Sequence, residues 1–219
     1  MPARRPHSRR GSVTRARQER VTRVATVILA AGGSRRMGSP KQLLRIGGIT
    51  LVRRAAETAL ASRCQAVYVV GGAAAEAVRR ELSELPLQVV DNPDWETGLA
   101  GSIRVGIEAV GAGSPEFDAA ILAPVDQPQI HPALLDRLIE VFEDGEREIV
   151  ACSYAGTVGA PALFSRRHFA DLANLSGDRG AKSLLEARAG EVAQVPFPEG
   201  ATDLDTPEDY QRFLGRGRC

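Results

Sequence analysis

The sequence predicts an α/β fold, in which a doubly wound, mostly parallel sheet is covered by helices on both faces. From residue 24 onwards, short runs of β-branched and small apolar residues alternate with amphipathic helical segments, as such a sheet requires. Of the 219 residues, 43% are hydrophobic and 25% are charged, as in ordinary soluble globular domains. Neither an internal repeat nor a low-complexity linker interrupts the alternation. We therefore predict one domain over residues 24–219.

The elements follow in order along the chain. The predicted strands are Val24–Leu29, Ala66–Val70, Leu87–Val90, Ala119–Leu122, Ile149–Ser153, Ala162–Phe164 and Val192–Phe197. The predicted helices are Leu51–Ser62, Ala74–Leu85, Leu99–Val110, Pro132–Phe142, Arg166–Ala173, Ala181–Ala187 and Pro207–Leu214. Two helix starts are marked by a capping residue followed by proline, at His131 and at Thr206.

The formal net charge of +1 conceals a basic amino-terminal segment. Residues 1–23 contain eight arginines and one glutamate, whereas the remainder has 20 basic and 26 acidic residues. The segment lacks the apolar stretch of a secretory signal. We predict that residues 1–23 form a disordered extension. Nucleic-acid binding by this arm is an alternative that we disfavour.

Cysteine usage and hydropathy predict a cytoplasmic protein. The three cysteines, Cys64, Cys152 and Cys219, are odd in number and far apart, which argues against a disulfide framework or a zinc site. No apolar run approaches the roughly 18 residues that a membrane-spanning helix needs.

The turn after the first strand is the most informative segment. Residues 27–44 read V-I-L-A-A-G-G-S-R-R-M-G-S-P-K-Q-L-L, so small residues follow the strand directly and Arg35, Arg36 and Lys41 come next. Small residues let backbone N–H groups approach a phosphate, and the cations neutralise its charge. The spacing matches neither the Walker lysine loop nor the dinucleotide fingerprint. It indicates another kind of nucleotide-binding loop.

The stretch L-A-A-G-G-S-R-R-M-G-S-P-K resembles the opening signature of the MobA-like nucleotidyltransferases, and within them the molybdenum cofactor cytidylyltransferases. The resemblance extends over roughly residues 24–214. It implies a Rossmann-like fold of the nucleotide-diphosphosugar transferase type, with one antiparallel strand in its second half. Arg36 and Lys41 would stabilise charge on the leaving pyrophosphate. Ala31 favours CTP, because guanylyltransferases of the family tend to have glycine there.

Two carboxylates are implied as Mg²⁺ ligands. Asp126, in L-A-P-V-D-Q-P, follows a predicted strand, and ligands bind at the carboxyl ends of strands in such sheets. The resemblance makes it a metal ligand and a catalytic residue, although Val125 replaces a common glycine. Asp205, in A-T-D-L-D-T-P-E-D-Y, is the second implied ligand, and Asp203 has a structural role. Helix capping is the alternative for both acidic segments.

The resemblance also implies the remaining binding residues. The predicted nucleotide-binding set is Leu29, Ala30, Ala31, Gly32, Gly33, Ser34, Arg36, Lys41, Gly72, Asp91, Gly98, Gly101 and Ser102. The predicted acceptor-binding set is Gly159, Pro161, Gly177, Asp178, Arg179, Gly180 and Lys182. Two departures from the family pattern fall in the acceptor segments, Ala160 for a histidine and Lys182 for an arginine. A solvent-facing Asp91 and a solvated helix start near residue 178 are the alternatives.

The resemblance implies a Mg²⁺-dependent enzyme that joins CTP to a phosphorylated molybdopterin and releases pyrophosphate. A molybdenum hydroxylase or its chaperone would receive the product. The alternatives are another NTP, a sugar-phosphate acceptor, or a non-catalytic protein that binds and delivers the cofactor.

Overall fold

A seven-stranded sheet organises the chain, in a computed structural model that describes residues 21–114 and 116–216. The strands are β1 (Val24–Leu29), β2 (Arg45–Ile46), β3 (Ile49–Thr50), β4 (Ala66–Gly71), β5 (Gln88–Asp91), β6 (Ala119–Pro124), β7 (Ile149–Tyr154), β8 (Thr157–Ser165) and β9 (Val192–Pro196). The helices are α1 (Leu51–Leu60), α2 (Ala75–Glu81), α3 (Leu99–Ala112), α4 (Pro132–Glu143), α5 (Phe169–Ala173), α6 (Lys182–Ala187) and α7 (Pro207–Arg216). Strands β2 and β3 form a separate antiparallel ribbon.

The order of strands in the main sheet is β5-β4-β1-β6-β8-β7-β9. Strand β8 runs antiparallel to both of its neighbours, and every other neighbouring pair is parallel. Six strands therefore end at one edge of the sheet, where β8 begins. We call this the active edge, because the predicted site residues gather there.

The two faces of the sheet are covered by different helices. Helices α1, α2, α4 and α7 pack on one face, and α3, α5 and α6 pack on the other. Strand β1 lies between β4 and β6 and alternates between the two cores: Ile28 joins the first, and Ala25 and Val27 join the second. The predicted fold, with helices on both faces and an antiparallel strand in the second half, is confirmed.

The predicted elements are found, with local differences. Helix α2 ends at Glu81, four residues before the predicted end at Leu85, and is followed by turns up to Pro86. Strand β8 starts five residues earlier than predicted, because Ala155 and Gly156 both have positive φ and close a tight hairpin with β7.

Some sequence predictions lie partly or wholly outside the described residues. The basic extension, residues 1–23, is described only from Val21. Within residues 21–114 and 116–216, no helix has the length and apolar character to cross a membrane.

Cys152 is fully buried, and burial raises the pKa of its thiol to about 12.

Candidate active site

The turn after β1 leaves its backbone N–H groups available to a ligand. Gln42 is fully buried beneath it, and its Nε2 donates to the carbonyl oxygens of Ala30 and Gly32, both at 2.7 Å. The Ser34 Oγ accepts a hydrogen bond from the Lys41 backbone N–H at 2.9 Å, which closes the turn. Over the described residues, the N–H groups of Gly32, Gly33 and Ser34 have no acceptor. A turn of small residues with unpaired N–H groups suits a phosphate.

The role of Gln42 gives a first prediction. Replacing Gln42→Glu should lower the free energy of unfolding by about 3 kcal/mol at neutral pH, because a buried carboxylate would face two carbonyl oxygens. These surroundings raise the pKa of the introduced carboxyl in the folded state. The variant should therefore lose stability as pH rises above the pKa of a free glutamate, about 4.3. Urea unfolding at several pH values measures this loss.

The matched control is Gln88→Glu, because Gln88 is exposed on the edge strand β5. Its free energy of unfolding should change by less than about 0.5 kcal/mol. Equal stability of the two variants at neutral pH would contradict the role of Gln42.

Trp95 supports the same turn from the other side. A Cβ placed on Gly33 would lie 2.5 Å from the Trp95 indole, so the ring packs directly on the glycine backbone. A Cβ on Gly72, which follows β4, would lie 2.8 Å from Cβ of Trp95 and 2.8 Å from Cβ of Ala31. Sequence reasoning missed both Gln42 and Trp95, because neither is a residue type that binds phosphate.

The two predicted metal ligands meet at the active edge. Asp126 follows β6 and Asp205 lies in the segment between β9 and α7. The Lys41 Nζ donates to Oδ2 of Asp126 and, at 3.1 Å, to Oδ1 of Asp205. The Leu204 backbone N–H donates to the Asp126 carbonyl oxygen at 3.0 Å, so the two segments are joined beside the carboxylates. Both aspartates therefore point at one cationic position.

Charges within this cluster shift its pKa values. Burial alone would lower the pKa of Lys41, but the charges and hydrogen bonds of Asp126 and Asp205 raise it above its ordinary value. Burial would raise the pKa of Asp205, yet Lys41 and Arg36 hold it below its ordinary value. The ammonium and the Asp205 carboxylate are therefore both charged at neutral pH.

The carboxylate of Asp203 is hydrogen-bonded to Gln127. Its Oδ1 accepts a hydrogen bond from Gln127 Nε2 at 3.0 Å, and the same nitrogen lies 3.2 Å from the Gly200 carbonyl oxygen. Burial raises the pKa of Asp203, and the charges of Asp126 and Asp205 raise it further, against the effect of Gln127. Gln127 thus ties the chain after β9 to the turn that carries Asp126.

The two arginines of the turn have different surroundings. Arg36 pairs with Asp205, its Nη2 lying 2.9 Å from Oδ2, and its side chain is 69% exposed. Arg35 lines the cavity described below and forms no ion pair with the described residues. Sequence reasoning counted both arginines among the cations that neutralise a phosphate, but named only Arg36 as a site residue.

A cavity of about 750 Å³ opens at the active edge and contains most of the predicted site. The predicted residues in its lining are Leu29, Ala31, Gly32, Gly33, Lys41, Gly98, Ser102, Asp126, Gly159, Asp178, Arg179 and Lys182. The predicted residues outside its lining are Ala30, Ser34, Arg36, Gly72, Asp91, Gly101, Pro161, Gly177, Gly180 and Asp205. Asp91 instead pairs with Arg79 on α2, at 2.5 Å.

The predicted acceptor loop, residues 177–182, contributes Asp178, Arg179, Ala181 and Lys182 to the lining of the cavity. This loop docks on the start of α3, where the Ala100 N–H donates to the Gly177 carbonyl oxygen at 3.1 Å. Gly98 has φ of 115°, and a Cβ there would lie 2.5 Å from Oδ1 of Asp178. Lys182 lines the cavity and has no ion-pair partner within the described residues. The floor between the loop and the carboxylates is apolar, with Ile103, Leu122, Ala162 and Leu185.

Comparisons with known proteins agree with this geometry. A family model described as a MobA-like NTP transferase domain matches residues 26–192. A protein named nicotine blue oxidoreductase, from Paenarthrobacter nicotinovorans, is 32% identical over 87% of this chain and 96% of its own. A molybdenum cofactor guanylyltransferase of Rhodobacter capsulatus is 30% identical over 90% and 97%. A molybdenum cofactor cytidylyltransferase of Escherichia coli K12 is 23% identical over 84% and 92%.

Solved structures are similar over the same extent. The crystal structure of Rv0371c from Mycobacterium tuberculosis H37Rv has a TM-score of 0.78 and 36% identity, covering 89% of this chain and 98% of that one. A manganese complex of Rv0371c has a TM-score of 0.74 and 33% identity, covering 89% and 99%. With this family match over residues 26–192 and the similarity of fold, the chain belongs to the MobA-like NTP transferase family and is a nucleotidyltransferase.

Proposed function

We propose that this protein transfers a cytidylyl group from CTP to a phosphorylated molybdopterin, with Mg²⁺ held by Asp126 and Asp205. The observation that carries the proposal is the convergence of these two carboxylates on one cationic position, next to a turn with free N–H groups. The relatives named molybdenum cofactor cytidylyltransferase and guanylyltransferase support the acceptor class.

The donor set suits a divalent ion. Two carboxylates from separate segments already share one ammonium, and Mg²⁺ typically takes one or two carboxylates together with substrate phosphates. The manganese complex of the related Rv0371c also favours a divalent metal. When bound there, such an ion neutralises charge on the nucleotide phosphates.

The proposed reaction is an in-line displacement at the α-phosphorus. A phosphate oxygen of the acceptor forms the new O–P bond while the bond to the β-phosphate oxygen breaks, and pyrophosphate carries away the electron pair. The N–H groups of residues 32–34 and the cations Arg36 and Lys41 stabilise the leaving charge. A phosphate monoester is already ionised at neutral pH, so no strong general base is required. Catalysis is then positioning and charge neutralisation.

The acceptor would bind between the carboxylates and residues 177–182. Lys182 contributes positive charge to the lining, whereas Arg179 pairs with Glu186, and the apolar floor suits the face of a planar ring. The cytoplasm is the proposed location, and a molybdenum hydroxylase or its chaperone is the proposed recipient.

Base selectivity gives a second prediction. The Ala31 methyl group lines the cavity, so the change Ala31→Gly should move the ratio of kcat/KM for CTP and GTP by about 10-fold or more towards GTP. The matched control is Ala30→Gly, because Ala30 is buried in the opposite core and lies outside the lining. The control should lower stability and leave the ratio unchanged. An unchanged ratio in both variants would remove Ala31 from base selection.

The direct test measures pyrophosphate release with each of the four NTPs and Mg²⁺, in the presence of molybdopterin or a sugar phosphate. Release with CTP and molybdopterin supports the proposal. Release with a sugar phosphate and none with molybdopterin would overturn the acceptor assignment. Delivery of bound molybdopterin without any pyrophosphate release would indicate the non-catalytic carrier.

A second candidate is reduction of a chromophore, favoured by the similarity to the protein named nicotine blue oxidoreductase. The same cavity would then hold a reducing nucleotide beside the dye. Oxidation of NADH or NADPH in the presence of a dye substrate, followed by absorbance, distinguishes this activity from nucleotidyl transfer.

A further inference from the structure

The Lys41 ammonium lies where two carboxylates converge. Its Nζ contacts Oδ2 of Asp126 and Oδ1 of Asp205, and the side chains of Lys41 and Asp126 are only 17% and 16% exposed. The backbone of Lys41 belongs to the phosphate-binding turn, through its N–H bond to Ser34. The same ammonium can therefore reach the carboxylates or a phosphate bound at the turn.

Charge balance limits which cations this site holds together. Arg36 bonds Asp205 from the solvent side, where its charge is screened, so the sum is taken over the partly buried groups. The two carboxylates and the Lys41 ammonium sum to −1. A divalent ion added to that set gives +1 and places two cations side by side in a partly buried site, where their repulsion is poorly screened. If the ammonium leaves, the carboxylates and the divalent ion are neutral. The ammonium then needs another anion, and a triphosphate at the turn provides one.

We propose that Lys41 occupies the metal position in the free protein, and that nucleotide binding moves its ammonium onto the phosphates and so opens the position to a divalent ion. The inference rests on the proposed metal role of Asp126 and Asp205. Free protein then binds a divalent ion weakly, and nucleotide and metal strengthen each other's binding. By linkage, this coupling is the same in both directions, and couplings between sites are typically about 5- to 150-fold.

The test is Mn²⁺ affinity in the absence of any nucleotide, followed by electron paramagnetic resonance of the free ion. Lys41→Met should bind Mn²⁺ about 10-fold more tightly than the wild-type chain, or better, because the competing ammonium is gone. Arg36→Met is the matched control, since Arg36 also bonds Asp205 but from the exposed side. The control should change the affinity by less than about 3-fold. Unchanged or weaker binding by Lys41→Met would overturn the proposal.

A second measurement needs no variant at position 41. The chain contains only two lysines, Lys41 and Lys182, so carbon-13 labelling of lysine gives two side-chain NMR signals that Lys182→Arg assigns. Millimolar Mg²⁺ alone should leave the Lys41 signal in place, whereas CTP should shift it. A shift with Mg²⁺ alone would contradict the exchange. Neither measurement requires an acceptor, so pyrophosphate assays can fail or succeed independently of this result.

Discussion

The change Asp126→Asn is expected to lower pyrophosphate release by a factor on the order of 10³ while the fold is retained. The substitution removes one of the two charges that face the cationic position, and it leaves the Asp126 backbone carbonyl to accept from Leu204. The Gln127 contact to Asp203 is also preserved. Thermal unfolding and far-UV circular dichroism should therefore stay close to those of the wild-type chain.

The matched control is Asp209→Asn, which removes the same charge from the exposed start of α7. Asp209 contacts Thr206 and Arg212 and lies outside the cavity lining. The control should keep its turnover and lose only the stability that its hydrogen bonds with Thr206 provide. Turnover of Asp126→Asn within 10-fold of wild type at saturating Mg²⁺ would contradict the metal role.

A second large effect is expected from the change Gly72→Ala, which should raise KM for CTP by a factor on the order of 10². The added Cβ would overlap the Ala31 carbonyl oxygen, which is backbone and has no rotamer to adopt. The phosphate-binding turn must then move, together with Trp95. A shift of about 1 Å in a binding group can cost that factor. Overpacking should also lower the free energy of unfolding by about 1–3 kcal/mol.

Gly190→Ala is the control for this change. Gly190 has no neighbour within 4 Å of an added Cβ and lies in an exposed turn before β9. Its KM and stability should equal those of the wild-type chain. Normal CTP binding by Gly72→Ala would show that the turn tolerates displacement, and the role of Trp95 as its support would then be wrong.

The positions of strands and helices follow from local patterns, which is why these elements and the fold class were predictable. Apolar runs such as Val24–Leu29 are stable only when they are buried. Pro132 and Pro207 mark helix starts, and the structure begins both helices at those residues. The β2–β3 ribbon was missed, although the Gly47-Gly48 pair between β-branched residues is a hairpin signal.

The site residues that are charged, or that directly follow a strand, could be predicted from the sequence. Asp126 was predicted from its position after a strand and from the family resemblance, whereas Asp205 was predicted from the resemblance alone. Gln42, Trp95 and Gln127 were missed because they act on backbone atoms of other segments, and such contacts leave no periodic or compositional trace. Asp91 remains a predicted base or ribose contact, although its carboxylate is directed to Arg79.

Strand β8 marks the boundary between two parts of the sheet that have different proposed roles. Strands β4 and β1 end beside the proposed phosphate-binding turn, whereas β7 and β8 line the side of the cavity proposed for the acceptor. Asp126 follows β6, which lies between β1 and β8. On the proposed assignment, the carboxyl-terminal half of the chain can change with the acceptor, while the amino-terminal half keeps the residues that bind the nucleotide phosphates. Chimaeras of two family members, joined just after β6, would then combine the nucleotide specificity of one with the acceptor specificity of the other.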